Sequence, residues 1–232
     1  MTIELFRNDS YLKSCNSKII KIKDEGIILD QTVFYPKAGG QPGDKGKMII
    51  GNVEINVLDT TYLNNEIVHI VENSFDLNEN DEIECLLDWE RRFNIMQVHT
   101  SLHLLCSLIS APVTGGQINE NKGRLDFDLD SKPNKEDILE ALNNLIKQNH
   151  EVSISSISEE ELDKNPDLIR TMSVKPPKGS GIIRMIDIGN GVDYQPCGGT
   201  HVRNTQEIRE VKKIKVENKG RMNKRVIVDF LQ

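Results

Sequence analysis

The chain has 232 residues, of which 37% are hydrophobic and 28% charged, and its formal net charge is −7 at pH 7. This composition is typical of a globular protein with one or two modest cores, and the negative charge argues against nucleic-acid binding over the whole surface. Residues 1–7 do not resemble a signal peptide, and no apolar run approaches the ~18 residues of a transmembrane helix. We therefore expect a cytoplasmic protein that does not enter a membrane.

The N-terminal part is predicted to be a small antiparallel β-barrel-like domain spanning residues 1–87. Residues 53–57 alternate between apolar and polar side chains, and Gly, Asn and Asp separate the apolar runs at regular spacing. The runs that predict strands are 19–20, 26–29, 47–50, 53–58 and 66–71. Cys85 and, further on, Cys106 lie in other apolar runs, and both are predicted to be small core residues.

The remainder, residues 88–232, is predicted to be an α+β domain, which makes the whole chain α+β. Asp88 can cap a helix that continues to Ser110, and Ala111-Pro112 ends it. The later predicted elements are, in chain order, a strand at 124–129, a helix at 134–148 with Ile138, Leu142 and Leu145 on one face, a strand at 152–154, a short helix opened by the Ser158–Glu161 capping box, a loop at 175–179, a strand at 182–188, and a hairpin pairing 211–217 with 225–230 about a turn at 218–220.

Two pairs of metal-binding residue types stand far apart in the chain. His99 and His103 have i, i+4 spacing, which places both imidazoles on one helix face. Cys197 and His201 flank a Gly-Gly turn that can direct both ligands inward. His and Cys together favour one Zn²⁺ ion per chain over calcium or magnesium. Thr100 occupies the position where a metalloprotease carries glutamate, so protease chemistry is not expected.

Four motifs resemble the editing domain of alanyl-tRNA synthetase and its freestanding relatives, the AlaX proteins. They are HTSLHLL from His99, CGGTH from Cys197, FYPKAGGQPGDKG from Phe34, and RLDFD from Arg124. The resemblance covers residue 25 to the C-terminus and departs from the family motif at Lys37 and Ala38. It implies a zinc-dependent, ATP-independent deacylase that hydrolyses mischarged seryl-tRNA(Ala), and also glycyl-tRNA(Ala), with no protein partner indicated. A chain of 232 residues cannot also hold a class II aminoacylation core, so we expect a freestanding protein acting in trans.

An editor that spares alanine must recognise the hydroxyl group of serine. A buried site that hydrogen-bonds this group rejects an analogue lacking it by up to ~10⁴-fold. The neutral polar candidates are Thr32, Gln41 and Gln117, and Gly39 and Gly40 can let backbone amides approach the substrate. Thr32 has an alternative interpretation as an ordinary strand threonine. His69 and His150 have no partner in the sequence and are predicted to be surface residues.

A basic stretch follows the CGGTH motif and is the predicted contact for the acceptor end of tRNA(Ala). Its alternative interpretation is a lysine-rich hairpin exposed to solvent. The predicted contacts are Arg203, Arg209, Lys212, Lys213, Lys215, Lys219, Arg221, Lys224 and Arg225.

The sequence leaves the role of zinc and the exact function open. Four protein ligands are typical of structural zinc, whereas catalytic zinc keeps a position for water or substrate. One ligand could bind loosely, the coordination number could increase, or the ion could only hold the amino group of the substrate. The alternative functions are a non-catalytic zinc module that binds tRNA or a synthetase, and an editor related to the threonyl-tRNA synthetase domain.

Overall fold

The computed structural model describes residues 2–72, 77–172, 181–189 and 191–231. Its fold is α+β with a closed antiparallel barrel, which confirms the predicted fold class. The chain forms two compact units, Met1–Asn94 and Ile95–Gln232. The domain boundary after residue 87 stays a prediction, and the loop predicted at 175–179 lies outside the described residues. Within those residues no helix is both long and apolar enough to cross a membrane.

The first unit is built on a six-stranded barrel with the strand order β2-β3-β7-β6-β5-β8. Apolar residues that alternate along the strands fill its interior, including Ile19, Ile27 and Met48, which are at most 1% exposed. The sequence analysis overlooked β8, the strand that closes the barrel. The strands of this unit are β1 (Ile3–Glu4), β2 (Ser14–Lys23), β3 (Gly26–Leu29), β4 (Gln31–Thr32), β5 (Gly46–Ile50), β6 (Val53–Leu63), β7 (Glu66–Val71) and β8 (Glu82–Leu87), of which β1 and β4 form a separate parallel pair.

The glycine-rich segment, residues 34–46, is fixed by a buried ion pair between Asp44 and Arg92. Arg92 Nε lies 2.9 Å from Asp44 Oδ2, and both side chains are at most 1% exposed. The same guanidinium donates to the carbonyls of Ser10 (3.0 Å) and Val33 (2.8 Å), and the carboxylate accepts from the Tyr35 amide at 2.6 Å. Because these hydrogen bonds satisfy both charges, the pair holds the two ends of the segment in place.

The tip of this segment is a tight turn at Gly39 and Gly40, with φ angles of 57° and 83°. The amide of Ala38 donates to the Gln41 carbonyl at 3.2 Å, and the amide of Gln41 donates back to the Ala38 carbonyl at 2.9 Å. Two successive residues with positive φ are required by this type of turn, and glycine adopts that conformation without strain.

The described residues of the second unit form two antiparallel sheets and three α-helices. The strand order is β14-β15-β10-β9 in the first sheet and β11-β12-β13 in the second. Helix α1 packs on the first sheet at Gly123, where an added Cβ would lie 2.7 Å from Val98 Cγ1. The elements are α1 (Trp89–Leu108), whose first residues belong to the first unit, β9 (Val113–Ile118), β10 (Lys122–Asp128), α2 (Lys135–Lys147), β11 (Val152–Ser158), α3 (Glu159–Lys164), β12 (Ile182–Ile188), β13 (Asp193–Pro196), β14 (Lys213–Gly220) and β15 (Asn223–Asp229).

Two details of the predicted elements in this unit were wrong. The hairpin turn lies at residues 221–222, because β14 continues to Gly220 with a register shift after Asn218. On α2 the third buried apolar residue is Ile146, while Leu145 is only half-buried. Ile146 follows Leu142 by four residues and therefore continues the same helix face.

His69 is not a surface residue, contrary to the prediction, but lies fully buried in the barrel unit. Its Nδ1 is 3.0 Å from the Ile27 carbonyl oxygen and its Nε2 is 2.8 Å from Thr32 Oγ1. Burial lowers the pKa of the imidazole from 6.5 to about 4, against the opposing effect of the hydrogen bond to Ile27. The ring is therefore neutral at pH 7. Because a carbonyl can only accept, Nδ1 carries the hydrogen and Nε2 is an acceptor.

This buried histidine predicts a measurable dependence of stability on pH. Between pH 6.5 and 4 the unfolded chain binds a proton at His69 that the folded chain does not, so the free energy of unfolding falls as the pH falls. A pKa shift of this size lowers the free energy of unfolding by about 3 kcal/mol in total as the pH falls from 6.5 to 4. Above pH 6.5 this loss is absent. The measurement is urea unfolding of wild type and His69→Gln, followed by fluorescence of the single tryptophan, Trp89. Parallel pH profiles for the two proteins would contradict the prediction.

Candidate metal centre

The four predicted ligands converge in the second unit. The ligand atoms of His99, His103, Cys197 and His201 all lie within 4.8 Å of one another. Cys197 Sγ is 3.5 Å from His99 Nε2 and 3.3 Å from His201 Nε2. A tetrahedral zinc ion with ordinary Zn–N and Zn–S bonds places sulfur and nitrogen about 3.5 Å apart. The spacing and the donor set therefore fit a metal ion.

Two elements bring these ligands together. The rings of His99 and His103 on α1 have centroids 5.2 Å apart. Arg184 on β12 holds the loop that carries the other two ligands, because its Nη1 donates to the carbonyls of Cys197 (2.6 Å) and Gly199 (3.0 Å). The Gly199 amide in turn lies 3.4 Å from Cys197 Sγ, where it can donate to a thiolate.

Two of the imidazoles are oriented by a second group on the far side of the ring. His103 Nδ1 is 2.8 Å from Asp193 Oδ2, and Gln195 Nε2 donates to the same carboxylate oxygen at 2.8 Å. His201 Nδ1 is 3.2 Å from the hydroxyl of Thr100. These contacts direct Nε2 of each ring towards the cluster, as is usual for metal-bound histidines.

The roles of Thr100, Asp193 and Gln195 in the site were not predicted from the sequence. Thr100 could have been suspected, since it lies between the two helical histidines. No local signal marks Asp193 or Gln195, which are brought to His103 by strand β13.

The electrostatics of the cluster favour the metal-binding protonation state at Cys197 and His201, but not at His103. Burial raises the pKa of Cys197, but its interactions with His99, His201 and His103 outweigh burial and hold the pKa well below its usual range, which favours the thiolate. Burial and the nearby His99 lower the pKa of His201 well below its usual range, so this ring is neutral. Burial also lowers the pKa of His103, but hydrogen bonds to Asp193 and Cys197 raise it to about 10. A metal must therefore displace a proton from His103.

The predicted substrate-binding residues lie in both units. Gln117 is exposed on β9, and Gln41 is buried beside the exposed Gly39–Gly40 turn. Thr32 is fully buried, and its hydroxyl donates to His69 Nε2, which is an acceptor, while accepting from the Phe34 amide at 3.1 Å. Its proton is thus used within the fold, and only an acceptor site remains on Oγ1.

The basic residues differ in what they can offer to a phosphate. Lys213 and Lys215 lie on the solvent face of β14, because the alternate residue Ile214 is buried, and neither forms an ion pair within the described part of the chain. Lys212 pairs with Glu210 at 2.5 Å and Lys219 with Glu217 at 2.8 Å. These pairs are exposed and can exchange for phosphate at little cost.

Lys224 does not fit the predicted role, because it is only 3% exposed. Its ammonium group donates to the carbonyls of Leu129, Gly220 and Arg221 at 2.7 to 3.2 Å. It stabilises the hairpin turn and is not available to a polyanion.

The arginines of the basic stretch are partly engaged as well. Arg225 makes two hydrogen bonds with Asp126, at 2.7 and 3.0 Å. Arg209 donates to Gln97 Oε1 and Asn121 Oδ1. Arg203 and Arg221 are exposed.

Two protein-family models match the chain. Residues 4–91 match the family described as tRNA synthetases class II (A). Residues 183–227 match the family described as Threonyl and Alanyl tRNA synthetase second additional domain, and this region includes the Cys197–His201 loop.

The chain is 35% identical to the alanyl-tRNA editing protein AlaX-M of Saccharolobus solfataricus, over 97% of its own length and 98% of that protein. It belongs to the alanyl-tRNA editing protein family. AlaX-M of Methanosarcina barkeri is 34% identical over the same shares of the two chains. Alanine–tRNA ligase of Methanococcus aeolicus is 37% identical over 92% of this chain, but the match covers only 24% of the ligase. Membership of the alanyl-tRNA editing protein family confirms the resemblance drawn from the motifs.

The cluster predicts one bound metal ion per chain. His103→Ala and Cys197→Ala should each abolish stoichiometric binding, because they remove a ligand. Asp193→Asn should weaken metal affinity about 10- to 100-fold, because it removes the negative partner of His103. Competition with a chromophoric chelator measures the affinities.

His150→Ala is the matched control, since this ring contacts Gln148 outside the cluster and its loss should leave binding unchanged. Wild-type stoichiometry in both ligand variants would show that the ion binds elsewhere.

Proposed function

We propose that this chain is an aminoacyl-tRNA deacylase that acts in trans in the cytoplasm and hydrolyses serine, and also glycine, from mischarged tRNA(Ala). The observation that carries the proposal is the buried thiolate–imidazole cluster in a chain whose relatives are named alanyl-tRNA editing proteins. The aminoacyl group is joined to tRNA by an ester, and ester hydrolysis requires stabilisation of the charge that develops on the carbonyl oxygen.

We propose Zn²⁺ as the ion of this site, because three imidazoles and one thiolate are ligands that zinc prefers. When bound, it would supply Lewis-acid stabilisation of the aminoacyl group. The chain itself positions the ligands: Asp193 fixes the His103 ring, and Thr100 fixes His201. Asp193 already accepts from His103 and Gln195, so its role is to orient the ligand rather than to take a proton from water.

We further propose that Thr32 provides selectivity for serine by accepting a hydrogen bond from the substrate hydroxyl. His69 supports this role, because its Nε2 accepts the hydrogen bond that the Thr32 hydroxyl donates, and Oγ1 can then act only as an acceptor towards the substrate. Alanine has no group that can donate to this oxygen. Gly39, Gly40, Gln41 and Gln117 remain proposed contacts for other parts of the substrate.

The test is a set of single-turnover deacylation rates on seryl-, glycyl- and alanyl-tRNA(Ala). Wild type should hydrolyse the first two and spare the third. Thr32→Val keeps the shape and removes the hydroxyl, so seryl-tRNA(Ala) should be hydrolysed several-fold more slowly, as expected for about 1 kcal/mol, with a smaller loss on glycyl-tRNA(Ala).

His69→Gln is the control for damage to the barrel, because glutamine can still present an acceptor to Thr32. Equal losses on both substrates in Thr32→Val would mean that Thr32 only supports the fold. No hydrolysis of any mischarged tRNA by the metal-loaded protein would overturn the proposed function itself.

We propose that the solvent face of β14 binds the acceptor arm of tRNA. Lys213 and Lys215 support this because they project on one face and neither forms an ion pair among the described residues, although Lys215 lies close enough to Glu217 to lower the pKa of that carboxyl group. Arg203, Arg209, Lys212, Lys219, Arg221 and Arg225 are the remaining proposed contacts. A local basic face can attract a polyanion to a protein whose net charge is negative.

Lys213→Glu combined with Lys215→Glu should weaken tRNA binding and reduce the slope of log affinity against log salt by about one per lost phosphate contact. Folding should be preserved, since both side chains point away from the core. The affinity is measured by a salt titration with labelled tRNA(Ala). Lys164→Glu, on the exposed α3, is the control of equal charge change per site, and an identical slope in all three proteins would place the tRNA elsewhere.

The rival function is a non-catalytic zinc module that binds tRNA. The four-ligand set supports it, because structural zinc sites are closed in this way. The deacylation rates above separate the two functions, since the rival predicts tRNA binding without hydrolysis.

A further inference from the structure

Two cysteines face each other across the seam that closes the barrel. Strands β2 and β8 are the first and last strands of the barrel in the chain, and their register places Cys15 directly opposite Cys85. The amide of Leu87 donates to the Lys13 carbonyl at 2.8 Å, two residues along each strand, so the cysteines also form a hydrogen-bonded pair of the ladder. Such pairs have Cα atoms about 5.5 Å apart. A disulfide requires about 4.4 to 6.8 Å.

Both cysteine side chains lie at the barrel core, next to the hydroxyl of Ser17. Cys85 is fully buried in the barrel core, and the half-buried Cys15 packs against that core. Their sulfur atoms approach the same hydroxyl, with Ser17 Oγ 3.3 Å from Cys15 and 3.7 Å from Cys85. Each thiol also lies close enough to the other to shift its pKa.

The pair is asymmetric in a way that assigns a role to each thiol. The hydrogen bond from Cys85 lowers the pKa of Cys15 to about 7, against the opposing effect of burial and with help from Ser17. The same interaction and burial raise the pKa of Cys85. Cys15 is the more exposed and the more readily ionised, so it is the thiol that meets an external oxidant.

We propose that Cys15 and Cys85 are a reversible oxidation site. They form a disulfide with each other by exchange with a small disulfide such as oxidised glutathione. The Cys15 thiolate attacks one sulfur of the oxidant and releases one glutathione thiolate. Cys85 gives its proton to that thiolate and then attacks Cys15 sulfur, releasing the second glutathione. Two protein thiols are oxidised and one glutathione disulfide is reduced to two thiols.

The disulfide would link β2 to β8, the two strands that carry Cys15 and Cys85 and whose pairing closes the barrel. Cys85 is also the register partner of Met48 on β5, the strand that follows the glycine-rich segment. Linking residues this far apart in the chain restricts the unfolded state, so the midpoint of thermal unfolding of the barrel should rise by roughly 5 °C or more. None of these steps depends on the proposed deacylase activity.

The experiment exposes the metal-loaded protein to a series of ratios of oxidised to reduced glutathione and then unfolds it in denaturant with a chelator, in the presence of an alkylating reagent that blocks all free thiols. Peptide mass spectrometry should find Cys15 and Cys85 in one crosslinked species, lighter by two hydrogen atoms, while Cys106 and Cys197 are alkylated. Reduction with dithiothreitol should reverse it. Both cysteines remaining alkylated at the most oxidising ratio would overturn the proposal.

Single variants test the order of events. Cys85→Ser should accumulate a glutathione adduct on Cys15, because no second thiol resolves it. Cys15→Ser should leave Cys85 unmodified, because the buried thiol does not meet the oxidant. A stable glutathione adduct on Cys15 in wild type, without crosslinking, would show that the two sulfurs cannot reach each other and would contradict the proposal. Circular dichroism confirms that each variant is folded.

Discussion

The second unit depends on the convergence of one cysteine and three histidine side chains, of which the histidines are buried and Cys197 is half-buried. Helix α1 supplies two of the ligands, and the loop after β13 supplies the other two. The lowered pKa of Cys197 and the raised pKa of His103 are the signs of a thiolate next to a protonated imidazole. A metal ion bound here would take the place of the proton on His103, and its charge would balance the thiolate. The same ion would tie α1 to a loop about a hundred residues later in the chain.

The first unit also depends on a buried polar interaction, here one that fixes its glycine-rich segment. Phe34 and Tyr35 bury the start of this segment in the core, and a buried ion pair between Asp44 and Arg92 anchors the end of the segment. Removing either partner would leave an uncompensated charge, a loss that generally costs about 3–5 kcal/mol. His69 and Thr32 add a neutral hydrogen-bonded pair to the same barrel. Buried polar groups whose hydrogen bonds are satisfied thus fix the conformation of segments in this unit that apolar packing alone would not determine.

Local patterns were sufficient for much of the fold and for the four side chains that converge as candidate metal ligands. The i, i+4 spacing of His99 and His103 placed them on one face of a capped helix, and the alternation of 53–57 indicated a barrel strand. The Gly-Gly turn between Cys197 and His201 gave the second pair. Each of these signals is contained within a few residues, and so it can be recognised without knowing the tertiary structure.

The errors arose where a residue's environment is set by distant parts of the chain. His69 is buried because Ile27 and Thr32 lie beside it in the barrel, and nothing near it in the sequence indicates this. Lys224 was placed with the other lysines by composition, but the hairpin turn after Gly220 surrounds its ammonium group with carbonyls. Asp193 contacts His103 only after β13 has paired with β12. Tertiary contacts of this kind do not leave a local periodicity.

The most direct test of the central claim is X-ray absorption spectroscopy at the metal edge of the purified, zinc-loaded protein. The account predicts a first shell of three nitrogen atoms at about 2.0–2.1 Å and one sulfur atom at about 2.3 Å, with imidazole scattering further out. The sulfur contribution should disappear in Cys197→Ser. A first shell made of oxygen atoms, or one without sulfur in the wild type, would contradict the claim that the helix and the loop share one ion.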